Sequence, residues 1–163
     1  MLLDVASLGG TNHATPLMAS ASLVASGGSI AAEALATWAR AEERWILVPL
    51  SGRIVALRVA EERGVFTLKP EWTANDLTTP ATPIIVNGVV FALSTGRPAA
   101  SGGKGSPAVL YAYDGVSGKA LWNSGKSMAT FASPGSYWSA LSQVYVGTDN
   151  GTVHAFGFLD ERR

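Results

Sequence analysis

Residues 110–122 read Leu110-Tyr-Ala-Tyr-Asp-Gly-Val-Ser-Gly-Lys-Ala-Leu-Trp122. Residues 110–113 combine aliphatic and aromatic side chains in the alternating manner of a β-strand with two different faces. Residues 114–118 bring the Asp, Ser and Gly residues that favour a tight turn. Residues 119–122 return to apolar side chains and end in tryptophan. The segment therefore predicts two antiparallel strands joined by a tight turn.

The spacing within this unit resembles the repeat of the pyrroloquinoline-quinone-type (quinoprotein-like) β-propellers, Ala-x-Asp-x-x-Thr-Gly-Lys-x-x-Trp, which is matched here by Ala112-x-Asp114-x-x-Ser117-Gly118-Lys119-x-x-Trp122. The resemblance implies that the tryptophan docks against the neighbouring blade and that the aspartate caps the turn. Asp114, Gly118 and Trp122 are thus expected to lock blades together and to take no part in chemistry.

Two further hairpins indicate that the unit is repeated. Residues 44–57 predict a strand on each side of a Ser51-Gly52 turn, and residues 144–156 do the same around Asn150-Gly151, the strongest short hairpin signal. Between them, residues 89–94 and 109–113 form the equivalent pair of strands. Recurrence at about 40 to 50 residues is typical of repeat architectures. Asn150 and Gly151 are therefore expected to be structural.

The remaining strands follow from these hairpins. The segments that precede each hairpin, residues 35–38, 82–86 and 137–141, are predicted to be the innermost strands near the propeller axis. Residues 68–72 and 120–122 are predicted to be outer strands. Residues 31–40 carry enough Ala, Glu and Leu to leave a short helix as the alternative to a strand.

The sequence predicts an all-β fold, a β-propeller portion of about three four-stranded antiparallel blades. At roughly 45 residues per blade, the chain is too short for a closed ring of at least about four blades. We expect the C-terminal part of a larger propeller of six to eight blades, or a piece that self-associates through open edge strands. We expect residues 1–30 to form a lead-in, residues 31–78 and 79–130 to form one blade each, and residues 131–163 to form a last blade without its outer strand.

The amino-acid composition argues against several classes of protein. Hydrophobic residues make up 47% of the chain and charged residues 15%, which argues against disorder. Twelve basic residues balance twelve acidic ones, so nucleic acid is not an expected partner. The sequence has no apolar run of about eighteen residues, so no transmembrane helix is expected. Cysteine is absent, which excludes disulfides and thiolate sites.

The start of the sequence gives no secretory signal. The stretch Met1-Leu-Leu-Asp4 lacks the basic residues with which such a signal begins. The family resemblance implies a bacterial periplasmic or cell-envelope location.

Several residues have both a chemical and a structural interpretation. His13 and His154 each lack a second histidine nearby and are expected to be a loop and a strand residue. Asp149 could offer a calcium ligand, but the tight turn that it precedes requires the same residue types, so no metal site is predicted. The long loop at residues 94–107 carries Arg97 and Lys104 and is the predicted interaction loop.

The resemblance also implies an enzymatic alternative. Quinoprotein dehydrogenases of this family hold the quinone and calcium at the propeller axis, where Trp38, Tyr137 and Trp138 would be the candidates for stacking on the quinone. The predicted inner strands contain no Asp or Glu that could act as a base. We therefore expect a non-catalytic scaffold whose partners are proteins or further blades. The alternatives are a dehydrogenase whose catalytic residues lie mainly outside this chain, and a fragment without activity of its own.

Overall fold

The computed structural model describes residues 18–23, 35–100 and 105–157. In that part of the chain there are eleven strands, no helix, and three antiparallel sheets. The predicted all-β fold is confirmed, and the three antiparallel sheets are consistent with about three blades of a propeller. The strands are β1 Ala36–Arg40, β2 Glu43–Leu50, β3 Arg53–Glu62 and β4 Val65–Ala74 in sheet 1; β5 Ile84–Val86, β6 Val89–Ser94, β7 Val109–Asp114 and β8 Ala120–Asn123 in sheet 2; and β9 Ala132–Ala140, β10 Gln143–Thr148 and β11 Val153–Gly157 in sheet 3.

Each sheet is a simple meander in which every strand pairs with the next one along the chain. Sheets 1 and 2 have four strands, whereas sheet 3 has three within residues 132–157. The first strands of successive sheets touch, β1 against β5 and β5 against β9. This places the first strands side by side, as expected of the inner strands of neighbouring blades.

A cross-strand row of side chains occupies the same position in each sheet. Residues directly opposite each other in an antiparallel pair share one face. In sheets 1 and 2 the row lies on the face toward the next sheet, and in sheet 3 it lies on the face away from sheet 2. A β-bulge follows the alanine in both complete sheets, between Ala56 and Leu57 and between Ala112 and Tyr113. The rows are Leu47–Ala56–Trp72 in sheet 1, Phe91–Ala112–Trp122 in sheet 2 and Trp138–Tyr145–Ala155 in sheet 3.

The apolar core lies between the sheets. One cluster packs sheet 1 against sheet 2 and includes Trp45 and Val90, and a second packs sheet 2 against sheet 3 and includes Leu93 and Val146. The far face of sheet 1 is covered by Leu23, whose carbonyl accepts a hydrogen bond from the Arg53 guanidinium at 3.0 Å. Burial of these faces against one another is the main force that holds the sheets together.

The structure differs from the predicted strands at their ends. Residues 36–40 form β1, so the helix alternative is wrong there; residues 31–34 lie outside the described part. Strand β9 is longer than predicted and stops before Leu141, which lies in the turn with a φ of 51° and is 93% exposed. Ser142 also has a positive φ. A two-residue hairpin of type I′ needs this conformation at both positions, but neither residue is the Gly or Asn that signals it.

Within the described ranges, no helix is long and apolar enough to cross a membrane.

Candidate functional site

The turn between β7 and β8 is organised by one carboxylate. Oδ1 of Asp114 accepts hydrogen bonds from the backbone N–H groups of Ser117 at 2.8 Å and Val116 at 3.2 Å, and from the Ser117 hydroxyl at 2.7 Å. The Gly118 N–H donates to the Asp114 carbonyl at 2.8 Å. The hydrogen bonds from Ser117, first the backbone N–H and then the hydroxyl, hold the pKa of Asp114 below its ordinary value.

Removing this carboxylate is expected to destabilise the fold in a pH-dependent way. The pKa of Asp114 is lowered on folding from an ordinary value of 3.8, so the ionised form adds stability above that pH, and the contribution is lost as the pH falls through the folded-state pKa. We expect Asp114→Ala to cost about 1 kcal/mol near neutral pH and less at about pH 2. Urea unfolding at both pH values measures this. Asp149→Ala, at an exposed turn position, is the control, and equal losses for the two variants would contradict the prediction.

Trp72 docks sheet 1 on this turn of sheet 2. Its indole Nε1 donates to the Gly115 carbonyl at 3.0 Å, and its ring stacks on Tyr113 with centroids 6.3 Å apart. Gly118 has a φ of +68°, and a Cβ added there would lie 2.5 Å from the Trp72 ring. The glycine thus allows the turn both its left-handed backbone and its close approach to the indole.

The sequence predicts Trp122 as a docking residue and assigns no such role to Trp72. The position of Trp72 indicates the same role, because Trp72 lies opposite Ala56 just as Trp122 lies opposite Ala112. The hairpin that leads into Trp72 closes at Arg63-Gly64 and lacks the Asp-x-x-Ser-Gly-Lys turn. The repeat motif is therefore incomplete in sheet 1, although its tryptophan is in place.

Trp122 reaches toward sheet 3 but remains 45% exposed. Its ring meets Phe156 of β11 with centroids 5.6 Å apart and planes tilted by 56°. Beside this contact is an apolar groove of about 440 Å³, called here the edge groove. Its lining residues come from sheet 2 and from the last strand of sheet 3: Val89, Phe91, Ala112, Leu121, Trp122, Ala155, Phe156 and Gly157.

The hairpin between β10 and β11 is held by Asn150 and Gly151. Oδ1 of Asn150 accepts from the Thr148 hydroxyl at 2.8 Å and from the Thr152 N–H at 3.3 Å. Gly151 has a φ of +79°, and a Cβ added there would meet no atom within 4 Å. These two residues therefore shape a turn that projects into open space.

The three aromatic residues that were predicted as candidates for stacking on a quinone lie in different parts of the structure. Trp38 stacks on Trp45 with centroids 5.9 Å apart, in the core between sheets 1 and 2. Tyr137 is 9% exposed, and its hydroxyl donates to the Phe91 carbonyl at 2.7 Å, in the core between sheets 2 and 3. Burial raises the pKa of Tyr137 far above its ordinary value. Trp138 lies on the opposite face of β9, so the structure does not bring the three rings together.

Among the described residues, none is seen to pack on one face of sheet 3, which is called here the open face and is formed by Trp138, Tyr145, Val153 and Ala155. Trp138 is 45% exposed and stacks on Tyr145 with centroids 5.6 Å apart and nearly parallel rings. Val153 is 61% exposed. The open face thus combines a rigid aromatic pair with exposed aliphatic residues on one side of a sheet.

The long loop between β6 and β7 is closed at its base. The backbone groups of Arg97 and Ser106 exchange two hydrogen bonds of 3.0 Å, and a second hollow of about 340 Å³ lies between this base and Phe131. Arg97 is exposed. Lys104, the other predicted contact of this loop, lies outside the described residues.

The histidines do not form a site in the described part of the chain. His154 is half-buried on β11, with its ring stacked on Phe156 at 6.2 Å, and His13 lies outside the described residues. Within the described ranges, no group of three His, Cys, Asp or Glu side chains is close enough to hold a metal ion.

Comparison with known proteins shows a likeness to a solved structure. No family model matches the sequence, and no curated protein matches it. The crystal structure of BamB from Moraxella catarrhalis is similar to this chain at 19% sequence identity and a TM-score of 0.29, over 74% of this chain and 44% of that one. The chain thus spans less than half the length of that protein.

Proposed function

We propose that this chain is a non-catalytic, propeller-type scaffold for protein interaction, and that a protein partner docks on the open face of sheet 3. One comparison carries the proposal. In sheet 1 the cross-strand row is covered, with Leu47 and Ala56 0% exposed, and in sheet 2 its central Ala112 is 5% exposed although the outer Trp122 is 45% exposed. In sheet 3 the row is exposed at both ends, at Trp138 (45%) and at Ala155.

The chemistry of the open face suits a protein partner. Aromatic side chains offer a large apolar area at a small cost in conformational entropy, and tryptophan and tyrosine are enriched among the residues that dominate binding energy at interfaces. Stacking on Tyr145 holds the Trp138 ring in one orientation before a partner arrives. The loop that carries Arg97 and Lys104 stays a second predicted contact.

The dehydrogenase alternative has less support. Quinone stacking needs aromatic rings that converge on one site, whereas Trp38 and Tyr137 pack in two different cores. Pyrroloquinoline quinone with calcium nevertheless has a direct test, which is co-elution with the protein followed by quinone absorbance. On the resemblance of its repeat, we also place the protein in the bacterial periplasm or cell envelope.

Photo-crosslinking in cells that make the protein tests the proposed partner. With the photoreactive residue benzoylphenylalanine in place of Val153, we expect one discrete protein adduct, because Val153 lies on the open face. Trp138→Ala in the same background is expected to lower the adduct yield about tenfold, as for an interface residue that dominates binding. Mass spectrometry then identifies the adduct.

Val65 supplies the matched control. It is 63% exposed against 61% for Val153, but it lies at the start of β4 in sheet 1. The same photoreactive residue at position 65 is expected to give no such adduct. Equal adducts at both positions, or none at position 153, would refute the proposed function, and stoichiometric co-elution with the quinone would replace it with the alternative.

A further inference from the structure

The turns of two hairpins carry the same dipeptide, Asn-Gly. Asn87-Gly88 joins β5 to β6, and Asn150-Gly151 lies in the turn between β10 and β11. Asparagine is a chemically labile residue, and it loses ammonia most readily before glycine, because glycine has no side chain to shield its backbone nitrogen from the neighbouring carboxamide. The two pairs are alike in sequence but differ in their hydrogen bonds.

At Asn150-Gly151 both of the groups that would react are held by hydrogen bonds. Oδ1 of Asn150 accepts from the Thr148 hydroxyl at 2.8 Å and from the Thr152 N–H at 3.3 Å. The Gly151 N–H donates to the Thr148 carbonyl at 2.9 Å. The carboxamide is therefore fixed in one orientation, and the nitrogen that would attack it keeps its proton in a hydrogen bond.

Asn87-Gly88 has neither restraint within the described part of the chain. Asn87 is exposed, and its carboxamide makes no hydrogen bond to a described residue. The Gly88 N–H has no acceptor among those residues, and a Cβ added to Gly88 would meet no atom within 4 Å. The carboxamide is thus free to rotate toward the backbone nitrogen in a turn that solvent reaches.

We propose that Asn87 is a site of spontaneous deamidation, and that this covalent modification proceeds much faster there than at Asn150. The Gly88 backbone nitrogen gives up its proton to base and bonds to Cγ of Asn87, while the side-chain nitrogen leaves as ammonia. Water then opens the cyclic imide at either of its carbonyl carbons. The products are aspartate, with the original backbone, and isoaspartate, whose main chain is longer by a methylene group. The site is separate from the open face and goes beyond the role proposed above.

The isoaspartate product is expected to act on the contact between sheets 1 and 2. The Gly88 carbonyl accepts from the Gly115 N–H at 2.9 Å, and the Gly115 carbonyl in turn accepts from the Trp72 indole. A Cβ added to Gly115 would lie 2.6 Å from the Gly88 oxygen and 2.7 Å from the Trp38 ring, so this contact has no room for a longer backbone. Isoaspartate at position 87 should therefore break the bond to Gly115 and loosen the docking of Trp72.

Peptide mapping of the full chain tests the site. The protein is incubated at mildly alkaline pH, and mass spectrometry follows the replacement of each side-chain amide by a carboxylate. The hydrogen bonds at Asn150 and Gly151 must break before the imide can form, so we expect Asn87 to react at least about tenfold faster than Asn150. Equal rates at the two asparagines, or a faster reaction at Asn150, would overturn the inference.

Thr148→Val tests whether hydrogen bonding makes the difference between the two turns. Valine keeps the branched shape of threonine and lacks the hydroxyl that donates to Asn150. We expect the rate at Asn150 to rise by about threefold to tenfold, with the rate at Asn87 unchanged. A rate at Asn150 that does not rise would refute the structural reason for choosing Asn87.

Hydrogen exchange of the deamidated protein tests the consequence for the sheets. The added carboxylate allows modified molecules to be separated by ion exchange, and fragmentation distinguishes aspartate from isoaspartate. With isoaspartate at position 87, we expect the Gly115 amide to lose protection, because its acceptor has moved. Asn87→Asp is the matched control, since it adds the charge without lengthening the backbone and should leave Gly115 protected. Protection retained with isoaspartate, or lost equally in Asn87→Asp, would refute the proposed effect on the contact between the sheets.

Discussion

Trp72→Ala is expected to lower the free energy of unfolding by about 3 kcal/mol, near the lower end of the range for removing a buried aromatic side chain. The variant loses the stack on Tyr113, the hydrogen bond to the Gly115 carbonyl and part of the cover over the core between sheets 1 and 2. It also leaves that carbonyl without its indole donor. Urea unfolding followed by circular dichroism measures the loss.

Trp122→Ala is the matched control for this prediction. Trp122 has the same register position in sheet 2 but is 45% exposed, so we expect a loss of about 1 kcal/mol. Trp72→Phe keeps a ring and removes the N–H donor, and is expected to fall between the two alanine variants. If Trp72→Ala and Trp122→Ala had equal effects, the docking role of Trp72 would be wrong.

Gly118→Ala is expected to cost about 3 kcal/mol, because two penalties add. A φ of +68° is unfavourable for any residue with a Cβ, and the new methyl group would lie 2.5 Å from the Trp72 ring. Gly151→Ala carries only the penalty for a left-handed backbone, because Gly151 has a φ of +79° and a Cβ added there would meet no atom within 4 Å. We expect that control to lose about 1 kcal/mol.

A double-mutant cycle separates the collision from the backbone penalty. Combining Gly118→Ala with Trp72→Ala removes the ring and leaves only the Cβ of residue 72, 2.8 Å from the new methyl group. The two losses should therefore fall short of additivity by about 1 to 2 kcal/mol. Strict additivity, or equal losses for Gly118→Ala and Gly151→Ala, would show that the close approach of glycine and indole is not what makes this position sensitive.

The turns show which local structures can be predicted from the sequence and which cannot. The turn at Asp114 and Gly118 and the hairpin at Asn150-Gly151 are local, so the residue types that they require can be recognised within a few positions. The turn at Leu141 and Ser142 was missed because its positive φ angles are imposed by pairing of the flanking strands, against the preference of both residues.

Contacts between sheets could not be predicted from the sequence. Contact between Trp72 and Gly118 joins residues 46 positions apart in two sheets, and no local pattern encodes it. Trp38 was a candidate for quinone stacking because its strand precedes a hairpin, but its ring faces Trp45 and the core. Which face of a strand is buried depends on the neighbouring sheet, and that information is absent from the strand itself.

The meander order of the strands bears on how the molecule unfolds. Every strand pair is local, so each sheet can form and melt largely by itself, and cooperativity comes from the interfaces between neighbouring sheets, as in a one-dimensional array of coupled units. The first interface is fastened by the indole hydrogen bond of Trp72, and the second by the hydrogen bond from the Tyr137 hydroxyl to the Phe91 carbonyl. Each sheet is therefore coupled to its neighbour by a specific polar contact as well as by apolar packing. The open face belongs to a sheet with one described neighbour, so a partner bound there, as proposed, would add a second coupled interface to that sheet.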